Sequence, residues 1–415
     1  MSSKPLAILS APGSRGDVNP MIAIGKSLLA RGFDVSISLA EPYASIAEAA
    51  GLEPQVLVSR ESFDRLLSSP ATWKLLRGMR RVVRGVASDF TEPHFELIER
   101  LHRPGRTVLV SHPLDFASRV FRDVDPQTPL VDVHLAPVML RVADAPARLT
   151  SWPFEPTRSK RTFRLAYWLG DHLILDRLLG GPINWIRKRH GLEPVRRIMN
   201  EWWLSPDRVL ALYPDWFAPS TVGALEQLRH VGFPLDDGSD DPFEIPEDRP
   251  VVFTGGSANW HTRRYFEQAS AVCERIGVGA LLLGSHPDCF PESLPEGVRR
   301  QRYAPLGKLL PHCSAIVHHG GIGTTSQGLR SGIPQLIRPM AFDQHDNAAR
   351  MIELNAGRRL ASDRQLEVQL RGVLTDPSIQ AAAQAAATRL RDIGTGADRA
   401  AEEIVAVSTR TSELV

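Results

Sequence analysis

One stretch, SAIVHHGGIGTTSQGLRSGIPQLIRPMAFDQ from Ser314 to Gln344, holds residues whose types and spacing could do chemistry. An apolar run leads straight into His318 and His319, then Gly320, Gly321 and Gly323, then a helix expected from about Thr324. A buried strand that turns on glycines into a helix leaves uncapped amides at the positive end of the helix dipole, which suits a diphosphate. His318, with Thr324 or Thr325, can add hydrogen bonds to phosphate oxygens. Asp343 and Gln344 open the following helix after the next strand, where a carboxylate beside an amide can hold several vicinal hydroxyls. A sugar joined to a diphosphate would satisfy both places together. The competing reading makes the glycines a tight strand-helix turn capped by histidines and makes Asp343 an N-cap.

Those residues need strands and helices to hold them. PLAILSAPG, then NPMIAIGKSLLARGFDVSISLAE with apolar residues at Ile22, Ile24, Leu28 and Leu29, predicts strand, glycine turn, helix and strand. RTVLVSH and PLVDVHLAP add strands, and the first half reads as an open parallel sheet flanked by helices. Helical insertions are expected from about Phe63 to Arg103 and from Phe163 to His190. Between Gly232 and Pro250, prolines and glycines cluster with seven carboxylates, which marks a linker. VVFTGGS, VGALLLGS, SAIVHHGGIGTT and IPQLIRPM then restart the rhythm. The expected domains are 1–231, a linker 232–250, a second doubly wound unit 251–394, and a last helix in 395–415. Two such domains are expected to face each other with the carboxyl ends of their strands, which puts the ligand crevice between them.

The 415 residues are 43% hydrophobic and 23% charged, an ordinary globular composition and more than one core usually accommodates. Forty-nine basic residues against 47 acidic ones leave a net charge of +2, so no general attraction for polyanions such as nucleic acid drives the function. Cys273, Cys289 and Cys313 are scattered thiols without paired metal-ligand spacing, which fits a reducing, cytoplasmic compartment. No segment reaches the roughly 18 apolar residues that span a bilayer. KLLRGMRRVVRG and the run from Arg158 to His190 mix basic residues with Leu, Trp and Phe. Such helices either lie on an anionic membrane surface or pack on a core with a solvated face.

The segment from Tyr303 to Gln344 resembles the donor-binding signature of the family 1 nucleotide-sugar glycosyltransferases with the GT-B fold, an α/β architecture of two facing Rossmann-like domains. The resemblance implies that Tyr303, Ala304 and Pro305 stack the base, that His318 and the turn through Gly320, Gly321, Gly323 and Thr324 bind the diphosphate, and that Asp343 and Gln344 bind the sugar. Thr254–Ser257 resembles the family's first C-terminal loop, which places Ser257 near the phosphates. Plant members carry a ribose-binding glutamate where Ser326 is expected to fall, and its absence points to a deoxyribose donor such as a dTDP-sugar.

GSRGDVNPM, Gly13–Met21, resembles the family's N-terminal Gly-His-X-X-Pro motif, with Asp17 in the place of the histidine general base. A hydroxyl is a poor nucleophile, and a carboxylate that removes its proton supplies roughly 10² to 10⁴ in rate. Direct displacement then inverts the anomeric carbon, with the helix amides and His318 stabilising the leaving diphosphate in place of a metal. Ser14, in the same turn, is expected to contact acceptor or phosphate. The other reading of Asp17 is an N-cap for a helix at Pro20.

Most of the chain is similar to the rhamnosyltransferases of bacterial rhamnolipid synthesis, least so from about Phe63 to His190. That likeness implies L-rhamnose from dTDP-L-rhamnose and a hydroxyl on an apolar or lipid acceptor, with no cofactor and peripheral contact with the inner face of the membrane. A nucleotide-sugar epimerase of the same fold and a non-catalytic accessory protein remain open. A nicotinamide site is disfavoured because Gly13 and Gly16 do not make GxGxxG, despite Glu41. Cys313, His318, His319 and His345 match no zinc-ligand spacing, and the carboxylates of Asp236–Asp241 read as a solvated hinge.

Overall fold

The computed structural model describes residues 4–73, 75–140, 148, 160–218, 225–236, 243–257 and 261–412. The first compact unit runs to Pro234 and resumes at Gly396; the second holds Arg148 and Leu235–Thr395. Most of the Asp236–Asp241 hinge lies outside the described residues.

The first unit alternates strand and helix: β1 (Leu6–Ala11), α1 (Arg15–Ala30), β2 (Asp34–Ala40), α2 (Ala44–Ala49) and β3 (Glu53–Val58). The first helical insertion follows as α3 (Arg60–Leu67), α4 (Leu75–Val86) and α5 (Glu92–Leu101). Then come β4 (Thr107–Ser111), α6 (Phe116–Val124), β5 (Leu130–His134), the second insertion as α7 (Lys160–Gly170) and α8 (Asp176–Arg189), and finally β6 (Arg208–Ala211) and β7 (Leu228–His230). All seven strands are parallel, in the order β3-β2-β1-β4-β5-β6-β7. Continuous apolar runs are required because both faces of the central strands are covered. Leu6, Ile8, Leu109 and Leu130 pack under Phe95, Phe116, Val120 and Ile183 of α5, α6 and α8.

The second unit holds β8 (Val251–Thr254), α9 (Arg263–Ile276), β9 (Ala280–Leu283), β10 (Val298–Gln301), α10 (Leu306–Leu309), β11 (Ala315–His318) and α11 (Ile322–Ser331). It continues with β12 (Gln335–Ile337), α12 (Gln344–Glu353), β13 (Gly357–Arg359), α13 (Leu366–Thr375) and α14 (Pro377–Asp392). Its six parallel strands run β10-β9-β8-β11-β12-β13. Val251, Phe253, Val317 and Leu336 form its core with Phe266 and Leu370.

The last helix, α15 (Gly396–Ser412), packs on α1 of the first unit. Gly396 N–H donates to Phe233 O at 2.9 Å, Ser27 Oγ to Asp398 Oδ1 at 2.7 Å, and Arg31 pairs with Asp398 and Glu402. Two helix starts differ from expectation. α1 begins at Arg15 rather than near Pro20, because Asp17 N–H and Val18 N–H already bond back to Ser14 O and the proline sits inside the helix. α11 begins at Ile322, two residues before Thr324, because Gly321 already acts as its N-cap.

The amphipathic insertions divide their faces. Leu179, Ile183 and Ile186 of α8 are buried, whereas Leu165, Trp168, Leu169, Leu173 and Ile174 on and beside α7 are exposed. Arg77, Arg80, Arg81 and Arg84 on α4 are exposed as well. No helix among the described residues is long and apolar enough to cross a membrane.

Candidate active site

The glycine turn sits where two neighbouring parallel strands end. His318 closes β11 in register with Thr254, which closes β8, so the loops after both strands leave the same sheet edge side by side. Gly256, at φ +84°, lies against the His319 ring; a Cβ there would come within 2.6 Å of Cε1. Gly320, at φ +93°, fits beneath β12 and α12, where a Cβ would meet Ile337 Cγ2 at 2.8 Å and Gln344 O at 3.1 Å. A side chain at Gly256 would push the two loops apart and one at Gly320 would push the turn off β12 and α12, so glycine here is a packing requirement as well as a conformational one. Gly323 is exposed and Thr324 half-buried in the first turn of α11, whose early amides have no acceptor further back in the helix.

Of the two histidines, His318 does not keep its expected role. His318 is fully buried, accepts the Gly320 N–H on Nδ1 at 3.1 Å, and shares a 2.9 Å hydrogen bond between Nε2 and Gln335 Oε1. The backbone donor on Nδ1 places the ring proton on Nε2, so both nitrogens are engaged inside the fold and neither reaches a phosphate. Burial and the neighbouring His319 push the His318 pKa down to about 3. His319 comes one residue later, after the strand, and its Nδ1 is buried without a hydrogen-bond partner among the described residues. Burial lowers its pKa to about 4. Sequence reasoning missed His319 because both histidines flank the same glycines; the signal was the strand's alternation, which turns His318 inward. Thr325 is likewise corrected, since its hydroxyl is spent on Gly321 O at 3.0 Å. Thr324 keeps the expected place in the first turn of α11.

Asp343 is the N-cap residue of α12 by position, yet its side chain makes no cap bond. Its Oδ2 instead accepts from Asn347 Nδ2 at 2.7 Å, and the same amide donates to Gly320 O at 2.9 Å. Asn347, unnoticed in the sequence, therefore ties the carboxylate to the glycine turn. Gln344 departs from expectation: its Oε1 accepts from Met340 N and Ala341 N at 2.8 and 3.0 Å, and the residue is 4% exposed. The carbonyl half of Gln344 shapes the loop instead of facing a ligand. Tyr303 is half-buried and Ala304 and Pro305 buried, just ahead of α10; Ser257 is exposed at the tip of the β8 loop, where its carbonyl accepts from Ser285 Oγ. Ser326 is buried with its hydroxyl turned back on Gly323 O.

In the first unit, Asp17 is the third residue of α1 and closes back on the helix start, accepting from Ser14 N at 2.7 Å and Ser14 Oγ at 3.2 Å. Half of the capping reading is thus realised, with Ser14 as the N-cap and Asp17 as the N3 acid. The second contact is not a cap: His112 Nε2, just past β4, lies 3.2 Å from Asp17 Oδ1. Burial works to raise the Asp17 pKa, but His112 and Ser14 outweigh it and hold the carboxyl below its ordinary value. The side chain is still 27% exposed, so a face of the carboxylate remains open. His134, at the end of the neighbouring β5, is 1% exposed with neither ring nitrogen hydrogen-bonded among the described residues. Burial and His112 push its pKa down to about 3. A surface cavity of about 510 Å³ between α4 and α8 is lined by Arg84, Thr91, Trp185 and Ile186, and no expected site residue borders it.

Residues 281–408 match the family profile described as "Erythromycin biosynthesis protein CIII-like, C-terminal domain". The chain is 29% identical over 404 residues to an O-mycaminosyltylonolide 6-deoxyallosyltransferase of Streptomyces fradiae, covering 88% of this chain and 89% of that one. The crystal structure of the glycotransferase of kitacinnamycin superposes with a TM-score of 0.75 at 19% identity, over 98% of this chain and all of the other. The spinosyn rhamnosyltransferase SpnG, complexed with thymidine diphosphate, superposes at 0.65 and 20% identity, over 95% of this chain and 98% of that one.

Proposed function

The chain is a nucleotide-sugar glycosyltransferase of the GT-B fold, and on that premise we propose that it moves L-rhamnose from dTDP-L-rhamnose, or failing that a UDP- or dTDP-hexose, onto a hydroxyl of an apolar or lipid acceptor. The observation that carries the donor half is the link through Asn347, which holds Asp343 and Gly320 together on one amide. A diphosphate on the α11 amides and His319, with its sugar against Asp343, uses both ends of that link. Thymidine diphosphate in the SpnG complex supports a dTDP donor. The exposed apolar side chains of α7 and the exposed arginines of α4 support an acceptor that resides in, or is drawn from, an anionic membrane surface.

In the transfer, the acceptor oxygen bonds to the anomeric carbon, its proton passes to Asp17, and the bond from that carbon to the phosphate oxygen breaks with its electron pair on the departing diphosphate. Attack opposite the leaving group inverts the anomeric centre. The amides of the glycine turn and His319 supply the stabilisation of the leaving group, so the chemistry asks for no resident metal.

The test has two arms. Thermal stabilisation by a panel of nucleotide sugars should single out dTDP- or UDP-linked hexoses. Asp17→Asn should then lower transfer at least about a hundredfold while donor affinity stays nearly unchanged. Conversion of the sugar without any acceptor would identify an epimerase instead, and full turnover by Asp17→Asn would remove Asp17 from the mechanism.

A further inference from the structure

His112 is held on every side. Its backbone N–H donates to Ser10 Oγ at 3.0 Å, its carbonyl accepts from Asp115 N at 2.8 Å, and its ring Nδ1 accepts from Leu114 N at 3.1 Å. A backbone N–H cannot give up its proton, so Nδ1 must act as acceptor and the ring proton sits on Nε2, pointed at Asp17 Oδ1. Behind His112 runs a buried network. Asp115 takes hydrogen bonds from Ser118 N and Ser118 Oγ at 3.0 and 2.6 Å and pairs with His94 Nε2 at 3.2 Å, while His94 Nδ1 meets Ser38 Oγ at 2.9 Å. Ser10 joins the two halves, since its hydroxyl also bonds Asp115. His94 and Ser118 are fully buried and Asp115 nearly so, which leaves the network little room to rearrange.

We infer that His112 is the positioning residue for Asp17: locked as the Nε2–H tautomer by the Leu114 amide, it donates to Oδ1 and fixes the carboxylate's plane, and cannot itself receive the acceptor's proton. The inference rests on Asp17 being the base. Ser14 holds the other carboxylate oxygen from the helix start, so the carboxylate is gripped from two elements and turns its remaining lone pairs to the open side. The charged and titratable groups that face this pair are Tyr43, which feels the Asp17 charge, Arg15 beside Tyr43, and His134 beside His112. Arrangement in the reverse sense, with the imidazole as base and the carboxylate behind it, would need a free ring nitrogen, and the Leu114 amide occupies the one not facing Asp17.

Nitrogen NMR of the full chain labelled at histidine decides the tautomer without any substrate. The His112 signal, assigned by its loss in His112→Gln, should carry its proton on Nε2 and should move in Asp17→Asn; a proton on Nδ1 overturns the inference. Hydrolysis of dTDP-L-rhamnose, with water as acceptor, supplies the kinetic arm. His112→Leu should lose part of the roughly 10² to 10⁴ that a general base contributes, in kcat rather than KM, and its acid limb should move to higher pH because the carboxyl has lost a donor. His112→Gln, which keeps an N–H donor, should recover much of both. If Asp17→Asn hydrolyses the donor at the wild-type rate, the reading of Asp17 as base fails. If Asp17→Asn is inactive while His112→Leu matches wild type in kcat and in pH profile, that reading stands and the present inference falls.

Discussion

Exchanging the two histidines in turn separates a ligand from a structural group. His319 Nδ1 is buried without a partner among the described residues, beside the start of α11, so a phosphate oxygen there would gain a charge-assisted hydrogen bond. Such a bond is worth about 1.5–3 kcal/mol, which converts to roughly 10- to 150-fold in Kd. His319→Ala should therefore weaken dTDP binding by that factor while the thermal midpoint of the unliganded chain changes little, because the ring satisfies nothing else on Nδ1. His318→Ala should do the reverse. It strands Gln335 Oε1 and the Gly320 N–H, both buried, at about 1–3 kcal/mol each. Gln335 also donates to Thr325 O in α11, so the damage reaches the helix start. Titration calorimetry with dTDP and UDP, paired with urea unfolding of each variant, reads both quantities. Wild-type affinity in His319→Ala, or a tenfold loss in His318→Ala at unchanged stability, would refute the assignment.

Two further substitutions test the scaffold. Gly320→Ala puts a Cβ at φ +93° against Ile337 and Gln344, and should cost about 1–3 kcal/mol of stability along with dTDP binding; unchanged melting and titration would show that the turn is not tightly held. Asp132, accepting from Ser111 Oγ and Ser205 N, is raised to about 6 by burial, with Asp115 adding to the rise. A folded-state pKa above the unfolded value means stability present below about pH 4 and lost as pH rises through about 6. Asp132→Asn should thus gain on wild type by about 1–3 kcal/mol in urea midpoints at neutral pH and not at low pH; parallel curves would show that the carboxylate carries no such cost.

The strands that could be read in the sequence are the central ones. β1, β4, β8, β9 and β11 are mostly apolar runs, and β2, β5 and β12 interleave apolar with buried polar residues; all eight have neighbours on both sides. The four edge strands, β3, β7, β10 and β13, gave no such pattern: Val298–Gln301 reads VRRQ and Gly357–Arg359 reads GRR. An edge needs only one hydrogen-bonded neighbour and gains from charge that discourages further pairing, so its composition resembles a loop. β6 is paired on both sides but only four residues long, and it opens on Arg208, which is buried against Glu403, so its start did not read as a strand.

The site was legible in its residue types and illegible in their directions. Glycines at 320, 321 and 323, an acid at 343 and an acid at 17 were the residues expected to meet a ligand, and the fold puts Gly320 and Asp343 together on one amide. What composition cannot say is which polar atoms the fold consumes. His318, Thr325 and the carbonyl of Gln344 are polar residues beside the turn, and each is used up inside the protein. Asn347 and His112, by contrast, stand in no glycine motif and matter through contacts 27 and 95 residues away along the chain.

Asp17 shows why the two readings of one residue need not compete. A capping-box acid is useful at a helix start because it is ionised, and a general base must also be ionised before it can act. Hydrogen bonds from Ser14 and His112 that lower its pKa make it a weaker proton acceptor, which in a reaction driven by the base alone would slow the step. In the proposed mechanism glycosyl transfer is driven from the other end, by a diphosphate leaving onto amides and an imidazole, and the acceptor hydroxyl acidifies only as its bond to carbon forms. On that mechanism a carboxylate held in one plane, with its pKa lowered, suits the step better than a stronger base that is free to turn, and the capping box with Ser14 and the bond from His112 are what hold it.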